Sequence, residues 1–369
     1  MYLKGFFPKN ISNLYLYIHY MPLIYYPSYF FVITKPEIGG AQKWVLENYK
    51  DFKNCGKECF IVVGEEGWLT SQIPAEDILI LPELKSKLYL INAVVKFSFF
   101  LRRFDSSVVI GNSANAGVVA RLSGFVMRSK VLYVSHGWSS LYVKSIFKPL
   151  YIFIEKLLVS FTHLFICVSE ADKRKAIINF KISDCKIKVL HFKLPDKYFF
   201  PGNSSPTSKS LRFLCVSRLE PPKRLDLLLE VFSSAPYELF IVGDGSLLDS
   251  VDKEMVTDNV NFLGPINDFD DYHQYDVFIL LSDSEGLPIS AIQAIRNGLP
   301  LVISNVGGCP ELISGNGYLV SNDIVAILEA LRLVELNFSE MSYFSRLHFI
   351  NKFMCNSNHN ELLDCVQNL

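Results

Sequence analysis

The feature that most constrains this chain is a repeated alternation. Short runs of β-branched, aromatic and other apolar residues are followed by longer stretches with helical spacing. Tyr29–Thr34, Cys59–Val63, Val108–Ile110, Val131–Ser135 and Leu164–Val168 read as buried strands, with helical patterns at Ala41–Asn48, Leu88–Phe104 and Leu141–Ser160. A second series has strand patterns at Arg212–Ser217, Glu238–Val242, Val260–Phe262, Asp276–Leu281 and Pro300–Ser304. Its helical patterns are Arg224–Phe232, Pro288–Asn297 and Ile324–Val334. Continuous apolar strands between helices are buried on both faces, so the pattern predicts α/β structure with parallel sheets.

The two series are separated by Pro195–Ser210, which holds Pro201, Gly202, Asn203, Ser204, Ser205, Pro206 and Ser208, the composition of a linker. The expected division is a first domain over residues 1–194, a linker over 195–210 and a second domain over 211–369, whose last helix is a candidate to return to the first. Charge follows the same division. Lys85–Lys156 carries eleven basic residues against two acidic ones, and Leu211–Pro300 six basic against fifteen acidic. The total over 369 residues is only −1, which argues against nucleic acid as a partner. With 50% apolar residues, the chain is neither a disordered tail nor a coiled coil.

Eight cysteines lack zinc-site spacing and several lie in apolar runs, so they are expected to be buried free thiols in a reducing, cytoplasmic compartment. The apolar stretch Ile11–Tyr26 is interrupted by His19 and Pro22 and has no small-residue cleavage site, unlike a signal peptide or a span.

Two doubly wound domains face each other across a cleft, and open α/β sheets bind ligands outside the carboxyl ends of their strands. Four motifs fall at such ends. Gly39–Gly40 separates a strand from a helix, where backbone N–H groups can meet an anion. Arg218 and Lys223 follow the strand ending at Ser217, two cations suited to a diphosphate or simply solvated. Glu285 follows a buried strand, where it can accept from ligand hydroxyls or favour the helix launched at Pro288. Gly307–Gly308 before Pro310 repeats the logic of Gly39–Gly40.

In this order the motifs resemble a retaining glycosyltransferase of family 4 with the GT-B fold. Gly39–Gly40, Ser135–His136, Val168–Ser169–Glu170, Arg218 with Lys223, Gly243–Asp244–Gly245, Phe262–Leu263–Gly264, Glu285 through Gln293, and Gly307–Gly308 with Pro310–Glu311 carry the resemblance. It implies two Rossmann-like domains and a nucleoside diphosphate sugar as donor. Arg218 and Lys223 would hold the diphosphate, Gly39–Gly40 its distal phosphate, and Glu285 the sugar hydroxyls. His136 would lie near the sugar, with Pro265 and Ile266 at the base. Gly243, Gly286, Leu287, Pro288 and Ile289 would complete the donor site. The family's second glutamate, which meets the ribose, is Gln293 here; an amide still bonds hydroxyls, so weakened or retuned ribose binding, not its loss, is expected. An Asn–Gly pair usual in the family is absent at Val189–Leu190–His191–Phe192–Lys193, so a different local turn on the same fold is expected there.

The resemblance also implies an enzyme of bacterial envelope polysaccharide synthesis, such as lipopolysaccharide or capsule, with a lipid-linked or oligosaccharide acceptor. A front-face reaction without metal or cofactor fits these residues, although Asp268–Phe269–Asp270 has the D-x-D form of metal-binding transferases. The basic stretch, with Lys96, Arg103, Lys144, Lys148 and Lys156 among aromatics, suits the anionic inner face of the cytoplasmic membrane or a solvated helix face. A sugar-nucleotide 2-epimerase and a non-catalytic GT-B binding module are the alternatives.

Overall fold

The computed structural model describes residues 27–142, 148–196, 210–252, 256–355 and 360–369. The Ile11–Tyr26 stretch, Lys144 and most of the linker lie outside them.

Among the described residues, the strands form two parallel sheets. The first holds β1 (Ser28–Ile33), β2 (Cys59–Val63), β3 (Ile78–Ile80), β4 (Ser107–Gly111), β5 (Lys130–Ser135), β6 (Leu164–Cys167) and β7 (Ile187–Val189), in the order β3-β2-β1-β4-β5-β6-β7. The second holds β8 (Arg212–Val216), β9 (Glu238–Val242), β10 (Val260–Gly264), β11 (Val277–Leu280), β12 (Leu301–Ser304) and β13 (Gly317–Val320), in the order β10-β9-β8-β11-β12-β13. Each sheet reverses direction once, between β1 and β4 and between β8 and β11. Ligand crevices of doubly wound sheets open at such switch points.

The inner strands are largely buried. β1 is enclosed at every position, and Phe30, Phe31, Ile61, Val62 and Ile110 are fully inaccessible. The helix Ala114–Met127 lies unusually close to this sheet. A Cβ at Gly117 would stand 2.4 Å from the Tyr133 ring, and one at Gly124 would stand 2.2 Å from Val131. Its Arg121 is buried and ion-paired to Glu155 at 2.7 Å, which anchors the following helix Lys148–Leu158.

The chain crosses back after the second sheet. Leu194 donates to the Phe353 carbonyl at 2.9 Å and accepts from Cys355 at 2.8 Å. Asn360, which caps the helix Glu361–Gln367, donates to Asp51 at 2.8 Å, and Lys193 pairs with Glu361. The two sheets are thus tied at the hinge side by the last segment of the chain.

Three expectations need correction. The cysteines are free, but Cys55 and Cys185 are exposed rather than buried. The pattern Leu141–Ser160 resolves into Ser139–Tyr142 and Lys148–Leu158, with residues 143–147 between them outside the described set. Gly307–Gly308 is not a second anion turn. The Gly308 N–H is used by the Gly286 carbonyl at 2.8 Å, only a four-residue 3-10 helix follows, and a Cβ at Gly307 would strike the Glu285 carbonyl. This pair is backing for the Glu285 loop.

Candidate active site

The cleft between the sheets encloses about 1990 Å³. That exceeds the roughly 300–1,000 Å³ of a typical small-molecule site and leaves room for two substrates. Its walls come from the carboxyl ends of the strands beside the switch points: Thr34–Trp44 after β1, Asn112–Asn115 after β4, Ser217–Lys223 after β8 and Asp283–Gln293 after β11.

On the first-sheet wall, Gly39 precedes the helix Gly40–Asn54, whose free N–H end opens into the cleft. A Cβ at Gly40 would stand 3.5 Å from Ile289 Cδ1 of the opposite wall, an ordinary van der Waals contact, so the two walls come within one side chain of each other here. His136 follows β5. Its Nε2 lies 3.5 Å from Asn112 Oδ1, and the Trp44 ring meets it edge-on at 5.4 Å. Burial lowers its pKa to about 4, so the imidazole is neutral at pH 7.

On the other wall, Lys223 Nζ donates to Glu285 Oε1 at 2.5 Å, with the side chains only 19% and 11% exposed. The backbone fixes both: Lys223 bridges Ser282, and Asp283 donates to the Pro222 carbonyl at 2.9 Å. Arg218 is exposed and, among the described residues, has no hydrogen-bond or ion-pair partner. The wall therefore offers one free guanidinium beside an ammonium–carboxylate pair.

The walls touch at Gly286, where a Cβ would stand 2.6 Å from the His136 carbonyl oxygen and 3.2 Å from the Gly137 nitrogen. No larger residue fits this gap without the walls separating. Behind it, Glu311 reaches across. Its Oε1 accepts from the Ala171 N–H at 3.2 Å, at the start of the helix Glu170–Phe180, and its Oε2 lies 2.8 Å from His191 Nε2. The histidine that replaces the expected Asn–Gly pair is thus an interdomain contact.

The other sequence-derived residues divide by what they expose. Pro265 and Ile266 are exposed on the rim, and Gln293 lines the cleft. Leu287, Pro288 and Ile289 are buried and can offer mainly backbone. Gly243 borders the cleft, but its φ of +146° and a Cβ position 1.9 Å from the Ser217 carbonyl make it a packing glycine first. Asp268 lies 4.0 Å from Lys43, and Asp270 is paired to Arg296. Among the described residues, no group of three or more His, Cys, Asp or Glu gathers. Sequence reading missed Lys43, Trp44, Asn112 and Tyr272, which enter the site only through tertiary contact.

Comparison with known proteins decides the family. Residues 38–191 match Glycosyltransferase Family 4, and residues 197–346 match Glycosyl transferases group 1. The O-antigen biosynthesis glycosyltransferase WbnH of Escherichia coli is 42% identical over 298 residues, 79% of this chain and 85% of that protein. The chain belongs to the group 1 glycosyl transferases. Another relative, the Escherichia coli UDP-Gal:alpha-D-GlcNAc-diphosphoundecaprenol alpha-1,3-galactosyltransferase, is 26% identical over 80% of this chain and 84% of its own. The fold of this glycosyltransferase is GT-B. The Anabaena Alr3699/HepE structure in complex with UDP and glucose superposes with a TM-score of 0.77, at 18% identity, over 93% of this chain and 100% of that one. The transferase acts in polysaccharide synthesis.

Proposed function

We propose that this glycosyltransferase moves a sugar from a nucleoside diphosphate sugar to a lipid-linked glycan, with retention and without a metal ion. One observation carries the reading. Arg218, Lys223 and Glu285 gather at the ends of β8 and β11, opposite the helix end at Gly39–Gly40 and the neutral His136. Cations gathered where charge develops on a departing diphosphate stabilise it. Glu285 is then free to accept from sugar hydroxyls as Lys223 turns to phosphate.

In the proposed reaction the bond between the sugar's anomeric carbon and the diphosphate oxygen breaks. The acceptor oxygen attacks from the same face, and a diphosphate oxygen takes the acceptor's proton. Retention follows because leaving and entering groups share a face. The relatives support the substrate classes: one is named for O-antigen biosynthesis, and another for a diphosphoundecaprenol-linked acceptor.

An apolar face on the first domain supports a membrane-borne acceptor. Ile91, Val95 and Phe99 form an exposed stripe on the helix Leu90–Leu101, and Leu150, Phe153 and Leu157 form another on Lys148–Leu158. Phe125 and Val126 are exposed as well, and the Arg102 guanidinium lies 4.7 Å over the Phe99 ring. Apolar stripes edged by cations suit an anionic bilayer surface. Lys96, expected to serve there, is instead paired to Glu83. Among the described residues, no helix is long and apolar enough to cross a membrane.

The test is transfer by purified protein from a panel of sugar nucleotides, UDP-sugars first, to a polyprenyl-diphosphate-linked sugar in the presence of EDTA. A single new linkage with the donor's anomeric configuration is expected. Inversion, or turnover of donor to an isomer without acceptor, would overturn the reading.

A further inference from the structure

Gln293 sits where the main cleft meets a second cavity of about 350 Å³, also lined by Lys43, Asp270 and Arg296. Its amide has two ends of opposite character: the oxygen accepts, and the NH2 donates. Which end faces the cleft decides what the ligand must offer. Tyr272 settles the matter. It is fully buried between β10 and β11, and its hydroxyl lies 3.2 Å from Gln293 Oε1. Burial raises the phenol's pKa, so the proton stays on the oxygen. A buried O–H must find an acceptor, and among the described residues Gln293 Oε1 is the one within reach. The amide oxygen is therefore engaged, and the NH2 has no protein acceptor among the described residues.

We propose that Tyr272 is a positioning residue that holds the Gln293 NH2 toward the cleft, so that this chain presents a hydrogen-bond donor to the ligand where a carboxylate would present an acceptor. The surroundings agree. Lys43 lines the same two cavities, is largely buried, and lies 4.0 Å from its partner Asp268. A carboxylate at position 293 would add a negative charge to the cavities that Lys43 lines, whereas the neutral amide adds a second donor to them. Such a rim selects a ligand group by its lone pairs, not by its hydrogens. The inference rests on the proposed nucleotide site and names the ligand polarity that this part of it reads.

The experiment uses UDP and its 2′-deoxy-2′-fluoro and 3′-deoxy-3′-fluoro analogues with the full chain. Fluorine cannot donate and accepts only weakly. In wild type, each substitution should cost at most one neutral hydrogen bond, less than about tenfold. In Gln293→Glu, at least one should cost more than about tenfold, because fluorine then faces a carboxylate. Tyr272→Phe leaves the amide free to turn and should shift the fluoro-to-hydroxyl ratio away from wild type while the thermal midpoint of Gln293→Glu stays near normal. Equal ratios in wild type and Gln293→Glu, or a tenfold loss in wild type itself, would overturn the inference with the nucleotide site intact. Absence of UDP binding in wild type would overturn the inference together with the proposed nucleotide site on which it rests.

Discussion

Replacing Lys223 by alanine tests the centre of the proposed site, and the structure separates its two effects. The first is on folding. Lys223 neutralises Glu285 at 2.5 Å, so its removal leaves a carboxylate that is 11% exposed without its cation. Breaking a fully buried pair costs about 3–5 kcal/mol; partial exposure of both partners reduces this to about 1–2 kcal/mol. For a domain of this size that is a fall of roughly 2–8 °C in the melting midpoint. The second effect is on catalysis. A charge-assisted bond to the departing diphosphate contributes about 1.5–3 kcal/mol, so kcat/KM should drop about 10- to 150-fold.

Adding Glu285→Gln distinguishes the two. The double variant no longer carries an unpaired charge and should recover most of the lost stability, while transfer stays depressed. Thermal melts, UDP affinity by calorimetry and steady-state transfer are measured on both variants and on Glu285→Gln alone. If Lys223→Ala folds and keeps more than half of wild-type kcat/KM, or if the double variant transfers like Glu285→Gln alone, Lys223 serves only to neutralise Glu285 and the diphosphate assignment fails.

Arg218→Ala is expected to act on catalysis without touching stability. The side chain is exposed and unpaired among the described residues, so the unfolding free energy should stay within about 0.5 kcal/mol of wild type while kcat/KM falls at least about tenfold. Gly286→Ala puts a methyl 2.6 Å from the His136 carbonyl oxygen and forces the walls apart; a displacement near 1 Å can cost about 100-fold in turnover, and unchanged kinetics would show that the cleft works open. His136 binds its proton only near pH 4 when folded but near the ordinary 6.5 when unfolded, so its contribution to stability is full above about 6.5 and is lost as pH falls toward 4. His136→Gln should therefore flatten the drop in melting midpoint between those values, and parallel curves would contradict the burial argument. At the apolar face, Arg102→Glu with Arg103→Glu should release the protein from phosphatidylglycerol vesicles at low salt, by about 1 kcal/mol for each charge lost or reversed; equal binding by wild type and variant would assign the face another partner.

The parts legible in the sequence were those where one physical signal dominated. Inner strands announce themselves because both faces are largely buried: Cys59–Val63 and Glu238–Val242 agree with expectation to the residue. Three of the four edge strands do not. Ile78–Ile80, Ile187–Val189 and Gly317–Val320 are three or four residues long, partly exposed, and too short to show a period. The helix Ala114–Met127 was hidden for the opposite reason. Gly117 and Gly124 weaken helix propensity by about 1 kcal/mol each relative to alanine, yet they are the residues that let it lie against Tyr133 and Val131. The helix Glu170–Phe180 has little amphipathic pattern, but its start was marked: Ser169 Oγ accepts from the Asp172 N–H at 3.1 Å, as an N-cap should.

The site shows the same division. Gly39–Gly40, Arg218, Lys223 and Glu285 could be found because each follows a strand, and a strand's carboxyl end is a place the sequence can specify. What could not be read is pairing across the fold. Lys223 and Glu285 are 62 positions apart, and Ala171 and Glu311 are 140 apart. Tyr272 reads as core and Gln293 as a weakened ribose ligand until the hydroxyl and the amide are seen to meet. The departures from the family pattern illustrate the consequence. At Gln293 the loss of a carboxylate read as a weakened or retuned ribose contact, and at Val189–Lys193 the loss of Asn–Gly read as a change in the local turn. In the folded chain each departure has a partner, Tyr272 for one and Glu311 for the other. A substitution that seems to subtract from a motif can therefore be half of a contact whose other half lies in a different element, and only the geometry tells the two cases apart.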